Sequence, residues 1–204
     1  MFIYDEDVKV LQDIFQTRLN QTLGSTSEQL IRFLEDTDWA MVIKLHAVIE
    51  ATVTEVIVAH TNQDALKAVI ERLPLSDNQA GKGKIALDLD LITRSQYSFL
   101  RKFSELRNNL VHKVENLDFD LKNFAKNLDR EQRKTWKAAI SWSSKDRPPQ
   151  ERLAEIFDIN PKVALFLATL TLVTLLTVDK ELSQIKREVL SASQKTMIDL
   201  LHTT

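Results

Sequence analysis

The chain contains no cysteine, which excludes a disulfide framework, a thiol nucleophile and a cysteine-ligated zinc site. Glycine and proline are nearly as scarce, three and four in 204 residues, so few positions force the backbone to turn. An excess of charge is also missing. With 27 basic against 29 acidic residues, the chain is not coated in positive charge to hold nucleic acid non-specifically, and any such site must be local. The first residues, Met1 to Val8, carry neither a basic stretch nor an apolar one, so no secretory signal is expected and the expected location is the cytoplasm. No grouping of histidines and carboxylates has metal-ligand spacing and no serine nucleophile motif occurs, so neither a metal nor a small-molecule cofactor is expected.

What is present is helical periodicity. Apolar residues recur at intervals of three and four along the chain, which predicts a single all-α domain over 1–204, a helical bundle ending in a long apolar helix. A first helix is expected from Asp5 to Leu23, with Leu11, Phe15 and Leu19 on one face and Gly24 ending it. Ser25 and Glu28 suggest a capping box. It would open a long core helix that bends near Thr37 and runs through Trp39, Val42, Ile49 and Val56 to Ala59. A short helix at Asp64–Arg72 and a surface loop from Pro74 to Gly83 follow. Gly81-Lys82-Gly83-Lys84 invites a phosphate-loop reading, but it lacks the full spacing and the preceding strand such a loop needs. Next come a short helix at Ile85–Leu91 and a helix Arg94–Val111 opened by a capping box of Thr93 and Gln96.

Residues 122–149 form a basic helical segment at the periphery. Between 122 and 147 stand eight basic side chains against three acidic ones, with Trp136 and Trp142 among them. Arg130, Arg133, Lys134 and Lys137 could track an RNA backbone there. The blander account makes Trp136 and Ile140 the apolar stripe of an amphipathic helix. Pro161 opens the final helix, whose run Val163–Val178 has no charge. Those residues reach about 24 Å as a helix, short of the ~30 Å hydrocarbon layer, so a core helix is expected and no membrane partner.

Chemistry points to the end of the helix Arg94–Val111. Histidine there can give or take a proton at cellular pH, and the guanidinium of arginine binds phosphate oxygens bidentately without losing its charge. Arg107 and His112 together make a minimal metal-free ribonuclease site, the imidazole as general acid or base and the arginine stabilising charge on phosphorus. An acid and a base are both wanted, and two copies facing across a two-fold axis would supply them. The alternative is ordinary: His112 caps the helix and Arg107 pairs with Glu105 or an acidic neighbour. His46 and Glu50 stand one turn apart on the core helix. His46 reads as a satisfied core histidine, and Glu50 either orients Arg107 or forms a plain core salt bridge.

Glu105-Leu106-Arg107-Asn108-Asn109-Leu110-Val111-His112 resembles the motif of the HEPN superfamily, an arginine and a polar residue followed by a histidine that closes a helix. Lys84-Ile85-Ala86-Leu87, Leu91-Ile92-Thr93, Tyr97, Leu106-Arg107, His112 and Phe119-Asp120 resemble the mannitol operon repressor family within it, as does Glu50 in Ile49-Glu50-Ala51. The resemblance implies a HEPN-like bundle that dimerises with its motifs facing across a groove. It also implies one of two functions. The first is a metal-independent endoribonuclease of toxin or defence type, with Arg107, His112 and Asn108 catalytic, Glu50 supporting and Lys113 helping to hold RNA, and with RNA or an antitoxin as partner. The second is a non-catalytic dimeric module that regulates transcription through a protein partner, since no helix-turn-helix with a basic recognition helix is found. Val114 stands where one toxin subgroup has tyrosine, so chemistry through that tyrosine does not carry over.

Overall fold

The computed structural model describes residues 26–112, 114–143 and 151–202. Among them the fold is all-α, with no strand. The helices are α1 (Thr26–Arg32), α2 (Asp38–Thr61), α3 (Lys67–Glu71), α4 (Lys82–Asp88), α5 (Arg94–Val111), α6 (Leu121–Asn127), α7 (Arg130–Ile140), α8 (Glu151–Ile159) and α9 (Pro161–His202). Single turns of 3-10 helix stand at Asp64–Leu66 and Val114–Asp118. The expected first helix Asp5–Leu23 and the Ser25 half of its neighbouring capping box lie outside the described residues.

Apolar residues occupy most of the circumference of α2, so it has to be covered on several sides. Met41, Val42, Leu45, Ile49, Val53, Val56 and Ile57 are all buried, and α9, α3, α4 and α5 pack around them. Ion pairs fix α9 parallel to α2. At one end Lys162 pairs with Asp38 at 3.1 Å; at the other Lys180 pairs with Glu55 at 2.7 Å and Arg187 donates to the Ala59 carbonyl. One continuous core follows, from Leu30 through Phe99, Phe103, Trp136, Trp142 and Phe157 to Leu176.

Three elements depart from the sequence reading. The helix expected to bend near Thr37 is broken there: the chain turns over Phe33–Asp36, and Thr37 restarts it by accepting from the Ala40 amide at 3.3 Å. A threonine side chain that can cap competes with a continuous helix, and here it wins. The loop expected to reach Gly83 ends sooner, because α4 begins at Lys82. Amides of Gly81, Lys82 and Gly83 donate to the carbonyls of Asp77, Pro74 and Leu75 at 3.2, 2.9 and 3.0 Å. The amides that a phosphate loop would offer to its ligand are thus already taken by protein, as the sequence reading of that motif required.

The third departure concerns α9. At 42 residues it is long and apolar enough to cross a membrane by length and composition, so length alone does not decide. Packing is the further observation. Ala164, Leu165, Phe166, Ala168, Leu170, Leu172, Val173 and Leu176 are buried inside the bundle. Thr171 and Thr177 bond back to the carbonyls of Leu167 and Val173 at 2.8 and 2.9 Å, as expected of threonines with no polar neighbour. They are only half-buried, so the outer face of α9 is left partly open.

Helix α5 spans the residues its sequence predicts, with the capping box complete: Thr93 accepts from Gln96 N and Gln96 accepts from Thr93 N. Asp38 is the joint of the whole corner. Its second oxygen accepts the Leu121 amide at 2.7 Å, which ties the start of α6 to the starts of α2 and α9. Replacing Asp38 by Ala leaves that amide without its partner and the Lys162 ammonium with only the Asp36 carbonyl, and is expected to lower stability by about 2 kcal/mol, read as a lower urea midpoint at unchanged slope.

Candidate functional site

The candidate site is built on two antiparallel helices. Trp39 near the start of α2 reaches the end of α5, while His46 two turns further along meets Ser104. On α5, Ser104, Arg107 and Asn108 share one stripe at the i, i+3, i+4 spacing. Ser104 points inward and is buried, Arg107 is half-buried and Asn108 is exposed. The Arg107 guanidinium folds toward its neighbour and donates to Asn108 Oδ1 at 3.1 Å.

His112 ends the helix in αR geometry and is exposed. Five residues separate it from Arg107, which places the two about 140° apart around the axis with a rise of about 7.5 Å. The backbone alone does not bring them together; the bend of Arg107 toward Asn108 does part of it, since Asn108 and His112 lie one turn apart on the same side.

The ordinary alternative made His112 a cap and gave Arg107 to Glu105. Other groups fill those roles. The Leu110 carbonyl accepts from Trp39 Nε1 at 3.3 Å and the Asn109 carbonyl from Asn116 Nδ2 at 2.7 Å, so the end of α5 is capped without the imidazole. Glu105 lies 3.9 Å from Lys102. Among the described residues no carboxylate forms an ion pair with Arg107, and its charge remains available.

Beneath Arg107 lies a polar cluster within the core. His46 is buried and shares a hydrogen bond with Ser104 Oγ at 3.0 Å, which bears out its reading as a satisfied core histidine. Glu50 does not hold Arg107. It accepts instead from Lys82 Nζ at 2.9 Å and stands 3.9 Å from His46 Nδ1. Of the two roles considered for it, the core salt bridge is the one the structure has. Lys82 is 3% exposed, and the sequence reading met it only within the phosphate-loop pattern it set aside; the signal was a lysine pressed between two glycines at the start of a helix. Burial lowers the pKa of His46 to about 4; Glu50 opposes the shift, while the cations of Arg107 and Lys82 add to it.

The basic segment divides. Arg133 donates to the Ala125 carbonyl at 2.7 Å and pairs with Asp158 at 3.5 Å, and Lys137 pairs with the same carboxylate, so both latch α7 to its neighbours. Arg130 and Lys134 are exposed, one turn apart on the outer side. Trp136 and Ile140 are buried, as the amphipathic reading has it. Trp136 meets α5 beneath the Lys102 ammonium, about a turn and a half before Arg107. Lys113 lies outside the described residues. Set against models of known families, curated proteins and solved structures, the chain matches none.

With His46 neutral in the folded protein, acid acts on the unfolded chain first. Above its ordinary pKa of 6.5 neither state binds the proton. As pH falls from 6.5 toward 4, the unfolded chain takes up a proton that the folded one refuses, and stability drops by roughly 3 kcal/mol. Urea unfolding across this window is expected to show the drop in the wild type, and a shallower one in His46→Gln.

Proposed function

We propose that the protein is an RNA-directed, HEPN-like dimer that cleaves phosphodiester bonds without a metal. The observation that carries this reading is the end of α5: half-buried Arg107 bends to exposed Asn108, and the exposed imidazole of His112 follows one turn later on the side of Asn108. The Leu110 and Asn109 carbonyls of that helix end and the carboxylates of Glu50 and Glu105 have other partners.

In the proposed reaction Arg107 binds the non-bridging oxygens of the phosphate and offsets the charge that builds there, with Asn108 as a second donor. The 2′-hydroxyl attacks phosphorus as one His112 accepts its proton. The P–O5′ bond then breaks as the His112 of a second copy protonates the leaving oxygen, which gives a 2′,3′-cyclic phosphate and a free 5′-hydroxyl. One imidazole at each site is why the reading requires the dimer. Arg130 and Lys134, both exposed, hold the flanking strand by charge in this reading.

A second reading, a non-catalytic module that binds a protein, is favoured by one separate observation. Leu182, Ile185, Val189 and Leu190 on the far half of α9 are 48%, 54%, 62% and 62% exposed, more apolar surface than a single helix usually offers to water.

End-labelled RNA incubated with the protein in EDTA is expected to be cut to products ending in cyclic phosphate. His112→Ala abolishes the cleavage, and Arg107→Ala lowers it by about 100-fold or more. Intact RNA after incubation with a folded wild-type dimer would move the assignment to the protein-binding module.

A further inference from the structure

Beyond the end of α5 the chain shapes a second concave surface. The Asn116 side chain donates to the Asn109 carbonyl at 2.7 Å, and the Phe119 amide donates to the Asn116 carbonyl at 3.0 Å, so the 3-10 turn keeps Phe119 close to that helix end. At about 2 Å per residue, three residues of such a turn span roughly 6 Å. Asn109 itself lies one turn before His112. The cleft that opens there, between the turn, α6 and the start of α7, has a volume of about 510 Å³, within the ~300–1,000 Å³ of small-molecule sites.

Its floor is aromatic and its rim polar. Phe119 and Phe124 are half-buried with ring centroids 5.7 Å apart, and Trp136 braces Phe124 edge-on at 5.6 Å. The rings thus offer firm apolar surface that the core does not use up. Asp118, Asn123, Asn127 and Gln132 stand exposed around them. Asp120 is already committed, since its carboxylate caps α6 at the Asn123 amide. Gln132 is half committed: its Oε1 accepts the Asp129 amide at 3.1 Å, which leaves its NH2 group to donate. Among the described residues, the Asp118 carboxylate and the side-chain amides of Asn123 and Asn127 have no partner.

We infer that this cleft is a base subsite and that the base it takes is guanine. The inference rests on the reading of the α5 end as the phosphate site. The cleft is bounded on one side by the turn that follows His112 and on the other by Gln132, two residues beyond Arg130, so a strand held at both crosses it. An aromatic floor accepts any base by stacking. The rim selects. Guanine alone among the four bases carries two adjacent donors, N1–H and the N2 amino group, that one carboxylate accepts together, and its O6 and N7 accept from amides. Asp118 supplies the carboxylate, and Asn123, Asn127 and Gln132 supply the donors. Adenine and cytosine offer Asp118 a single amino group, and uracil a single imino group.

The test is binding of 2′-O-methyl uridine oligonucleotides that carry one guanosine, inosine, adenosine or cytidine to the full chain. The guanosine strand is expected to bind about tenfold more tightly than the adenosine or cytidine strand, with inosine, which lacks the N2 amino group, in between. Asp118→Asn, a change at an exposed turn residue, is expected to erase the advantage of guanosine over inosine. Phe119→Leu is expected to weaken all four strands. A merely structural part for Asp118 would move all the affinities together and leave their ratio alone.

Equal affinity for the four strands, or a guanosine preference that survives in Asp118→Asn, overturns the subsite and leaves the phosphate reading standing. If no strand binds, the reading of the α5 end as an RNA site fails, and the cleft is judged by itself. Free guanosine, but not adenosine, is then expected to shift the side-chain amide signals of Asn123, Asn127 and Gln132 in nuclear magnetic resonance spectra. No shift at millimolar nucleoside overturns the subsite as well.

Discussion

A helix buried on several sides can turn titratable residues toward its neighbours only if those neighbours satisfy them, and α2 turns two toward α4 and α5, the buried His46 and the half-buried Glu50. Each needs a partner from a different helix. Ser104 comes from α5 and Lys82 from α4, at 3.0 and 2.9 Å. These two contacts set the rotation of α4 and α5 about α2 more tightly than apolar packing does, because a leucine tolerates a small slip and a buried ammonium does not. Once Ser104 faces inward, the helical repeat leaves Arg107 at the edge of the core and Asn108 beyond it.

The exposed chemistry is therefore a consequence of the buried chemistry. At the end of α5, Trp39 and Asn116 take the Leu110 and Asn109 carbonyls, and the 3-10 turn Val114–Asp118 leads back to α6, whose first amide is held by Asp38. The chain leaves the site anchored on both sides, which suits a constellation that must hold a phosphate in one geometry. His46 also belongs to this frame. It stays neutral and adds no third positive charge to the Lys82–Arg107 neighbourhood, which would otherwise weigh against the guanidinium.

Much of the fold was legible in the sequence because it depends on local signals. The capping box of Thr93 and Gln96 is contained in four residues, and it placed α5 to the residue. Pro161 placed the start of α9 in the same way. The break at Thr37 was harder to read, since the same threonine can bend a helix or restart one, and tertiary contacts at Asp38 decide between them. Lys82 was not legible. A lysine between glycines looks like a loop, and its burial depends on a carboxylate 32 residues earlier that sequence spacing does not connect to it. Glu50 was legible as a residue of interest, but its partner was not, because Arg107 and Lys82 are equally suitable on charge alone and only the fold decides which of them stands beside it. The likeness to HEPN proteins pointed to Arg107 and His112. What the structure adds is that both remain outside the hydrogen-bond economy of the core.

The central claim is that the end of α5 receives a phosphodiester. The most direct measurement is a nuclear magnetic resonance titration of the protein with a 2′-O-methyl oligonucleotide, following the His112 ring, the Asn108 side-chain amide and the Arg107 guanidinium. The account predicts that these three signals shift together and saturably, with Arg130 and Lys134 following more weakly. Shifts confined to α7 or to the far half of α9, with the α5 end unmoved at saturation, would contradict it.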